Sequence, residues 1–445
     1  MLNYNSVLTR QRTREVIMPK PIYATTRFII KWVIVATIVG VAGGSAAYLL
    51  YMSIQFFSNV RTAAINVFVA PALAGLLVGI LLYPIEPKVS SYGTNIFLHA
   101  VNQENGDIRG RTSLIKLISS SLTLGFGGSG GVEGPMVLIG GSISSFLFRF
   151  RIFSRFLTQE DRRIATICGA AGAIGAIFRS PVGGGIFVVE LLYKSSLHYT
   201  ELFPAVISSS MGYTVMLLLT ETEPLFYSPV FQPQLQNIPY FLFAAIVAGA
   251  VSLIFRLLFQ RAFHAFNKLN INPMLKPALG GIMTGLTAYV FGIQVLGIGI
   301  EHIQNFILGS ASLQLLLLLL VGKMLATIFT ISSGGSAGLV IPALYVGAVT
   351  GSIFSILLGF SGLTPHYSLV VVGMSASLSV MANVPLAAVI MIVEMLGLKM
   401  GIPAVIGAII GFVVGRSKEF YEITHEEHNN EVCQAFKNLD RELDH

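Results

Sequence analysis

From Met324 to Val393 the chain contains no Lys, Arg, Asp or Glu, and Leu225–Phe255 and Pro277–Ile300 are equally free of them. A membrane-crossing helix needs about 20 predominantly apolar residues, and these runs are long enough for several. The length of 445 residues would otherwise allow two or three soluble domains. Only 11% of the residues are charged, against about 25% in an ordinary globular chain. The expected fold class is therefore all-α: a polytopic membrane protein with room for about ten segments, several too short or too Gly-broken for a simple crossing.

Charge then gives orientation. Arg10, Arg12, Arg14, Lys20, Arg27 and Lys31 stand against the single acid Glu15 in residues 1–31, and the positive-inside bias keeps that segment cytoplasmic. A long polar lead before a full-length apolar segment does not suit a cleaved signal peptide. The net charge of +7 is read as membrane topology rather than nucleic-acid binding. Cys168 and Cys433 give neither a disulfide framework nor metal-ligand spacing. Residues 422–445 are expected to be a short cytoplasmic tail, too small for a regulatory domain.

The membrane region, 32–421, says the same thing twice. Gly127-Gly128-Ser129-Gly130-Gly131-Val132-Glu133-Gly134-Pro135 matches Gly334-Gly335-Ser336-Ala337-Gly338-Leu339-Val340-Ile341-Pro342 without a gap. Further on, Ser180-Pro181-Val182 with Phe187–Leu192 parallels Val384-Pro385-Leu386 with Ile390–Leu396, at the same Pro-to-Glu spacing to Glu190 and Glu394. Four matched elements in order indicate duplication, with halves of about 32–222 and 223–421. Duplicated membrane halves place a transport site at the repeat interface near the bilayer midplane.

The repeated blocks read as helix starts. Each is Gly/Ser-rich, reaches a Pro suited to a first turn, and continues as an apolar helix, over Met136–Phe148 and Ala343–Leu358. A first turn leaves backbone N–H groups unpaired and carries partial positive charge. Two such ends converging on one spot make an anion site without a fixed cation, one that binds weakly enough to let the anion leave. The competing reading is that the glycines only allow close helix packing. Glu133 favours the first, because an ionisable residue inside a membrane segment costs roughly 2.5–3.5 kcal/mol and marks function by default. Such a carboxylate can occupy the same anion site and leave it when protonated or displaced.

On these residues the chain resembles the CLC chloride channel and chloride/proton exchanger family, over about residue 30 to Tyr421. The resemblance implies two inverted helical repeats with short and broken helices, a homodimer with one pathway per subunit, chloride as transported ion with protons as a second partner, and bound chloride ions in place of any cofactor or metal. It implies the plasma (inner) membrane of a bacterium, with both termini cytoplasmic. Gly131-Val132-Glu133-Gly134-Pro135 is similar to the gating-glutamate motif, and Gly338-Leu339-Val340-Ile341-Pro342 to the later motif whose backbone faces the anion. Tyr421 falls where the family has a pore tyrosine, although an interfacial belt aromatic is equally compatible with its position.

Three departures matter. Ser91-Tyr92-Gly93-Thr94-Asn95 stands where the family has Gly-Ser-Gly, a hydrophobic residue and Pro, so Tyr92 replaces an anion-binding serine. Val132 replaces a basic residue beside the gate. Leu191, directly after Glu190, occupies the position of an inner proton acid and cannot relay a proton. Glu190 and Glu394 read as paired scaffold carboxylates. The resulting expectation is channel-like or weakly coupled conduction, with stoichiometric chloride/proton exchange as the alternative.

Two other classes compete less well. An intramembrane serine protease would use Ser129 in Gly127-Gly128-Ser129-Gly130 with a base such as His366, in the turn-like Leu363–Tyr367. Recurrence of the pattern at Ser336 fits a helix start better than a single nucleophile. A cation pathway would want several acids or a carbonyl ring, and the charge-poor core offers Glu133, Glu190 and Glu394. A phenol at Tyr92 donates one hydrogen bond but is far bulkier than serine. Tyr92→Ser is therefore expected to change the relative permeabilities of chloride, bromide, nitrate and fluoride, with Tyr92→Phe separating hydroxyl from bulk. An unchanged series in both variants would remove Tyr92 from the pathway.

Overall fold

The computed structural model describes residues 21–85, 93–150, 157–193, 198–220, 224–227, 235–360 and 363–416. They form sixteen α-helices in two sets of eight. The first set is α1 (Pro21–Ala64), α2 (Ala70–Leu77, extended by a π turn over Val78–Leu82), α3 (Gly93–Gln103), α4 (Gly110–Gly125), α5 (Glu133–Leu147), α6 (Gln159–Ile177), α7 (Gly183–Tyr193) and α8 (Tyr199–Thr220). The second repeats the order: α9 (Ile238–Lys268), α10 (Lys276–Phe291), α11 (Ile300–Ile307), α12 (Leu313–Ser332), α13 (Val340–Leu357), α14 (Leu363–Ala382), α15 (Pro385–Leu396) and α16 (Gly401–Gly415). Among the described residues, seven helices are long and apolar enough to cross a membrane, and Ala70–Leu82, Gly183–Tyr193 and Pro385–Leu396 are shorter apolar helices.

Helix boundaries follow local chemistry. Prolines near the start open α2, α9, α10 and α15, where a missing N–H costs nothing. Thr158 caps α6 in a reciprocal box with Asp161, and the Ser312 hydroxyl caps α12. The helices expected from Met136 and Ala343 begin almost one turn earlier, at Glu133 and Val340. Pro135 and Pro342 thus sit third in their helices, still within the turn that lacks intrahelical N–H bonds. His366, expected in a turn, lies in the first turn of α14, with Nε2 2.8 Å from the Phe306 carbonyl oxygen.

Packing repeats as faithfully as order does. A methyl group on Gly140 of α5 would fall 2.2 Å from the Gly169 carbonyl oxygen of α6, and one on Gly347 of α13 would fall 2.3 Å from the Gly373 carbonyl oxygen of α14. Both helix pairs therefore meet backbone to backbone, the small-residue contact that membrane helices use in place of a hydrophobic drive. Arg256, buried in α9, donates to the carbonyls of Val380 and Gly415 near the ends of α14 and α16, where a cation complements both helix dipoles.

One edge of the molecule gathers charge. Lys31 of α1 lies 2.5 Å from Asp161 at the start of α6. Asp107, before α4, pairs with Arg149 at 2.8 Å and with Arg162. Burial works to raise the Asp107 carboxyl, but the Arg149 hydrogen bond and the Arg162 and Arg149 charges prevail and hold it below its usual range. Arg163 pairs with Glu201 and donates to the Tyr193 hydroxyl.

The halves are tied together by exchanged contacts. Glu190 of α7 accepts from the Leu386 and Ala387 N–H groups at the start of α15, at 3.0 and 2.7 Å. Glu394 of α15 accepts from the Val182 and Gly183 N–H groups at the start of α7, at 3.0 and 2.9 Å, and from the Ser180 hydroxyl. Each carboxylate thus caps the equivalent helix of the other half, which is the scaffold role expected for the pair. Asn383 and Arg179, at equivalent places before α15 and α7, share a left-handed backbone, with φ of 59° and 52°. Glu394→Ala and Glu190→Ala are each expected to lower stability by roughly 2 kcal/mol, the cost of orphaned N–H groups and a lost charged acceptor. Thermal unfolding in detergent measures this, and comparable losses at the two sites are expected.

Candidate anion site

The two Gly-rich blocks meet face to face. Gly131 and Gly338 exchange both backbone hydrogen bonds, N–H to carbonyl at 2.7 Å each way, in an antiparallel bridge. The surrounding contacts come in matched pairs. The Ser129 N–H donates to the Thr330 hydroxyl at 3.0 Å, and the Ser336 N–H to the Thr123 hydroxyl at 3.2 Å. The Ser129 hydroxyl lies 2.9 Å from that of Thr327, and the Ser336 hydroxyl 2.7 Å from that of Ser120. Equivalent residues trading equivalent bonds, with chains antiparallel at the centre, is a two-fold inverted relation. It also satisfies irregular backbone at depth, which survives in a membrane only when buried in protein.

Glu133 stands directly over this bridge. Its side chain is buried, at 2% exposure, and its Oε1 accepts from the Val340 N–H at 2.7 Å. A methyl group on Gly338 would fall 2.0 Å from Oε1, and one on Gly131 would fall 2.2 Å from Oε2. The carboxylate therefore fills a space that exists because both positions are glycine. It belongs to the first turn of α5 yet binds the first residue of α13, where unpaired N–H groups favour negative charge. Val132 and Leu339, both buried, precede the two helices in nearly the same conformation (φ, ψ of −105°, −9° and −114°, −10°).

A third helix start converges here. A methyl group on Gly93, first residue of α3, would fall 2.4 Å from the Gly134 carbonyl oxygen, so the segment following Tyr92 packs against the opening of α5. The structure thus assembles Gly131, Val132, Glu133, Gly134, Gly338, Leu339 and Val340 in one place. Tyr92 and Tyr421 lie outside the described residues. Leu191 is buried on α7, beside the capping Glu190.

Two buried lysines near the Gly-rich blocks were not singled out by the sequence. Lys116 in α4 and Lys323 in α12 are both buried in the helices that lead into the two Gly-rich blocks. They are separated by the same spacing as Gly131 and Gly338. A methyl group on Gly93 would meet Lys116 Cε at 3.2 Å, which sets this lysine beside the starts of α3 and α5. Lys323 Nζ donates to the Gly297 carbonyl at 2.8 Å and the Val295 carbonyl at 3.2 Å. The repeat itself carried the signal: extending the matched spacing one helix upstream aligns the two lysines.

Among the described residues, no base stands at the Ser129 hydroxyl. Its partner there is Thr327, and Ser336 repeats the arrangement with Ser120, so these serines brace the blocks.

Comparison with known proteins agrees with this geometry. Residues 74–416 match the voltage gated chloride channel family. An uncharacterized protein of Methanocaldococcus jannaschii is 30% identical over 380 residues, covering 84% of this chain and 91% of that protein. The voltage-gated ClC-type chloride channel ClcB of Escherichia coli is 26% identical over 385 residues, covering 82% of this chain and 90% of the relative. Among solved structures, a CLC-type fluoride/proton antiporter superposes with a TM-score of 0.78 at 19% identity, covering 89% of this chain and 98% of that one. A slow cyanobacterial Cl-/H+ antiporter gives 0.76 at 19% identity, covering 89% and 96%. Inverted halves, Gly-rich helix starts meeting at Gly131 and Gly338, and a family match over most of the chain lead to one conclusion: this protein belongs to the voltage gated chloride channel (CLC) family, whose members are channels or transporters and not enzymes.

Proposed function

We propose that this protein moves chloride through a pathway gated by protonation of Glu133, passively or with weak coupling to protons. The observation that carries the proposal is the Glu133 carboxylate on the Val340 N–H at 2.7 Å. A carboxylate at a helix start is itself an anion in an anion site. Protonated, it loses the charge that holds it there, and a chloride ion takes its place. Glycine at 131 and 338 leaves the backbone bare, so binding depends on N–H groups and dipoles that hold an ion without trapping it. Tyr92 and Tyr421 belong to the same proposed pathway.

Weak coupling is supported by Leu191. A fixed anion-to-proton ratio needs a proton route from Glu133 that does not follow the anion, and a buried leucine at the inner position leaves only a water wire. The neighbouring Glu190 is engaged by two N–H groups of α15. Stoichiometric chloride/proton exchange is the second reading, favoured by the antiporters that share this fold and by retention of the glutamate. The same family reading carries a homodimer with one pathway per subunit. With Lys31 at the charged edge and basic residues before it, it carries a cytoplasmic N-terminus in a plasma (inner) membrane.

Wild-type flux is expected to rise as pH falls, because protonation releases the Glu133 side chain. Glu133→Gln should abolish that dependence and leave chloride flux in liposomes intact; normal pH dependence in the variant would remove Glu133 from the gate. In the same vesicles, with potential clamped by an ionophore, a chloride gradient should drive no sustained uphill proton movement. Uphill pumping that vanishes in Glu133→Gln would establish the exchanger instead.

Gly338→Ala tests the occupied position. Its methyl group cannot coexist with Oε1 2.0 Å away, and the backbone there has little room to yield because it is bridged to Gly131. The carboxylate should be displaced, giving flux much less dependent on pH. Wild-type pH dependence in a folded Gly338→Ala protein would show that the carboxylate does not need this seat.

A further inference from the structure

The turn between α10 and α11 touches the first Gly-rich block at two points. The Gly297 N–H donates to the Gly127 carbonyl at 3.2 Å, and the Gly297 carbonyl accepts from the Gly130 N–H at 3.4 Å. One residue of the second half therefore clamps four consecutive residues of the first, ending one residue before Gly131. Gly127 holds φ of +95°, a conformation open to glycine, and the Gly297 N–H braces its carbonyl.

The turn is itself held by Lys323. This side chain has 0% exposure. Its Nζ lies 2.8 Å from the Gly297 carbonyl oxygen, 3.2 Å from that of Val295 and 3.5 Å from that of Ile298. Three carbonyl acceptors match the three donors of an ammonium group, whereas a neutral amine has two and a lone pair that would face an oxygen. The Tyr345 ring of α13 presents its face 5.2 Å from Nζ, a further preference for positive charge. No salt bridge to Lys323 occurs among the described residues, so no carboxylate there cancels its charge.

Burying an ammonium is costly unless its surroundings offset it, and an apolar side chain of similar length would fill the same space. Such a replacement would leave the Gly297 carbonyl with its 3.4 Å contact to Gly130 alone, the longest link in the clamp.

We propose that Lys323 is a positioning residue of the anion site, whose ammonium fixes the Val295–Ile298 turn and, through Gly297, the Gly127–Gly130 segment that presents Gly131 to Gly338. Its charge also favours an anion nearby, and the ammonium is linked to the Gly131–Gly338 bridge through Gly297 and Gly130. Because Lys323 touches the backbone and not the ion, it deepens the site without becoming a trap. The inference rests on the reading that the helix starts over this bridge bind chloride.

The test uses the full-length Glu133→Gln protein, in which no carboxylate competes for the site. Chloride binding is measured by titration calorimetry in detergent, alone and combined with Lys323→Met, Lys323→Gln or Lys323→Arg, with thermal unfolding recorded for each. Met and Gln should weaken chloride binding on the order of tenfold, as expected for losing a charge in a low-dielectric surrounding. Arg should retain most of the affinity. Unchanged affinity in a folded Met or Gln variant overturns the proposal. So does failure of both neutral variants to fold while Arg folds, which would make Lys323 a folding residue only. Absence of chloride binding in Glu133→Gln alone overturns the anion-site reading itself, and this inference with it.

Discussion

A peptide group inside a bilayer has no water to turn to, and everything at the centre of this molecule answers that constraint. A continuous helix would bury its N–H groups in its own ladder and offer an anion nothing. Two helices that start at mid-depth expose donors, but their lead-in segments must then find partners elsewhere. Gly131 and Gly338 solve both problems with one antiparallel exchange at 2.7 Å. The lead-in backbone is satisfied, and the first turns of α5 and α13 stay open. The remaining braces, Thr123 and Thr330 on the serine amides and Gly297 on Gly127 and Gly130, are extensions of that exchange.

Electrostatics is layered on this frame. Nearest the site are dipoles and N–H groups, which favour an anion modestly and reversibly. Two buried lysines, Lys116 and Lys323, stand in the helices that lead to the site. In the proposed function the Glu133 carboxylate competes with the anion for those dipoles, and because it is tethered and titratable, occupancy responds to protons without any rearrangement of the helices. This economy depends on two bare glycines, since a side chain at either position would collide with the carboxylate.

Much of this was legible in the sequence because duplication repeats its own signal. The matched Gly-Ser blocks, the Pro-to-Glu spacing and the charge-free runs fixed the repeat, the helix starts and Glu133. Glu190 and Glu394 were readable as a pair, though which N–H groups they cap required the fold. The lysines escaped because a single cation in an apolar run looks like an edge of the run: Lys323 immediately precedes the charge-free stretch from Met324 to Val393. Their places show only in three dimensions, Lys116 beside Gly93 at the start of α3 and Lys323 on Gly297 in the turn before α11. The early start of α5 escaped for a different reason, since Pro135 is compatible with several positions in a first turn and only the backbone bridge decides which.

The crossed caps of α7 and α15 also bear on how such a chain is made. Val182 and Gly183 emerge from the ribosome more than two hundred residues ahead of Glu394, the acceptor that completes their helix start. Until then the first half holds an uncapped end in the membrane, and Glu190 has no helix to cap. Each half therefore completes these helix starts only once the other is in place. A lone half would find the same caps in an identical copy related by the same two-fold. On this view the present single chain is a covalent record of two oppositely oriented partners.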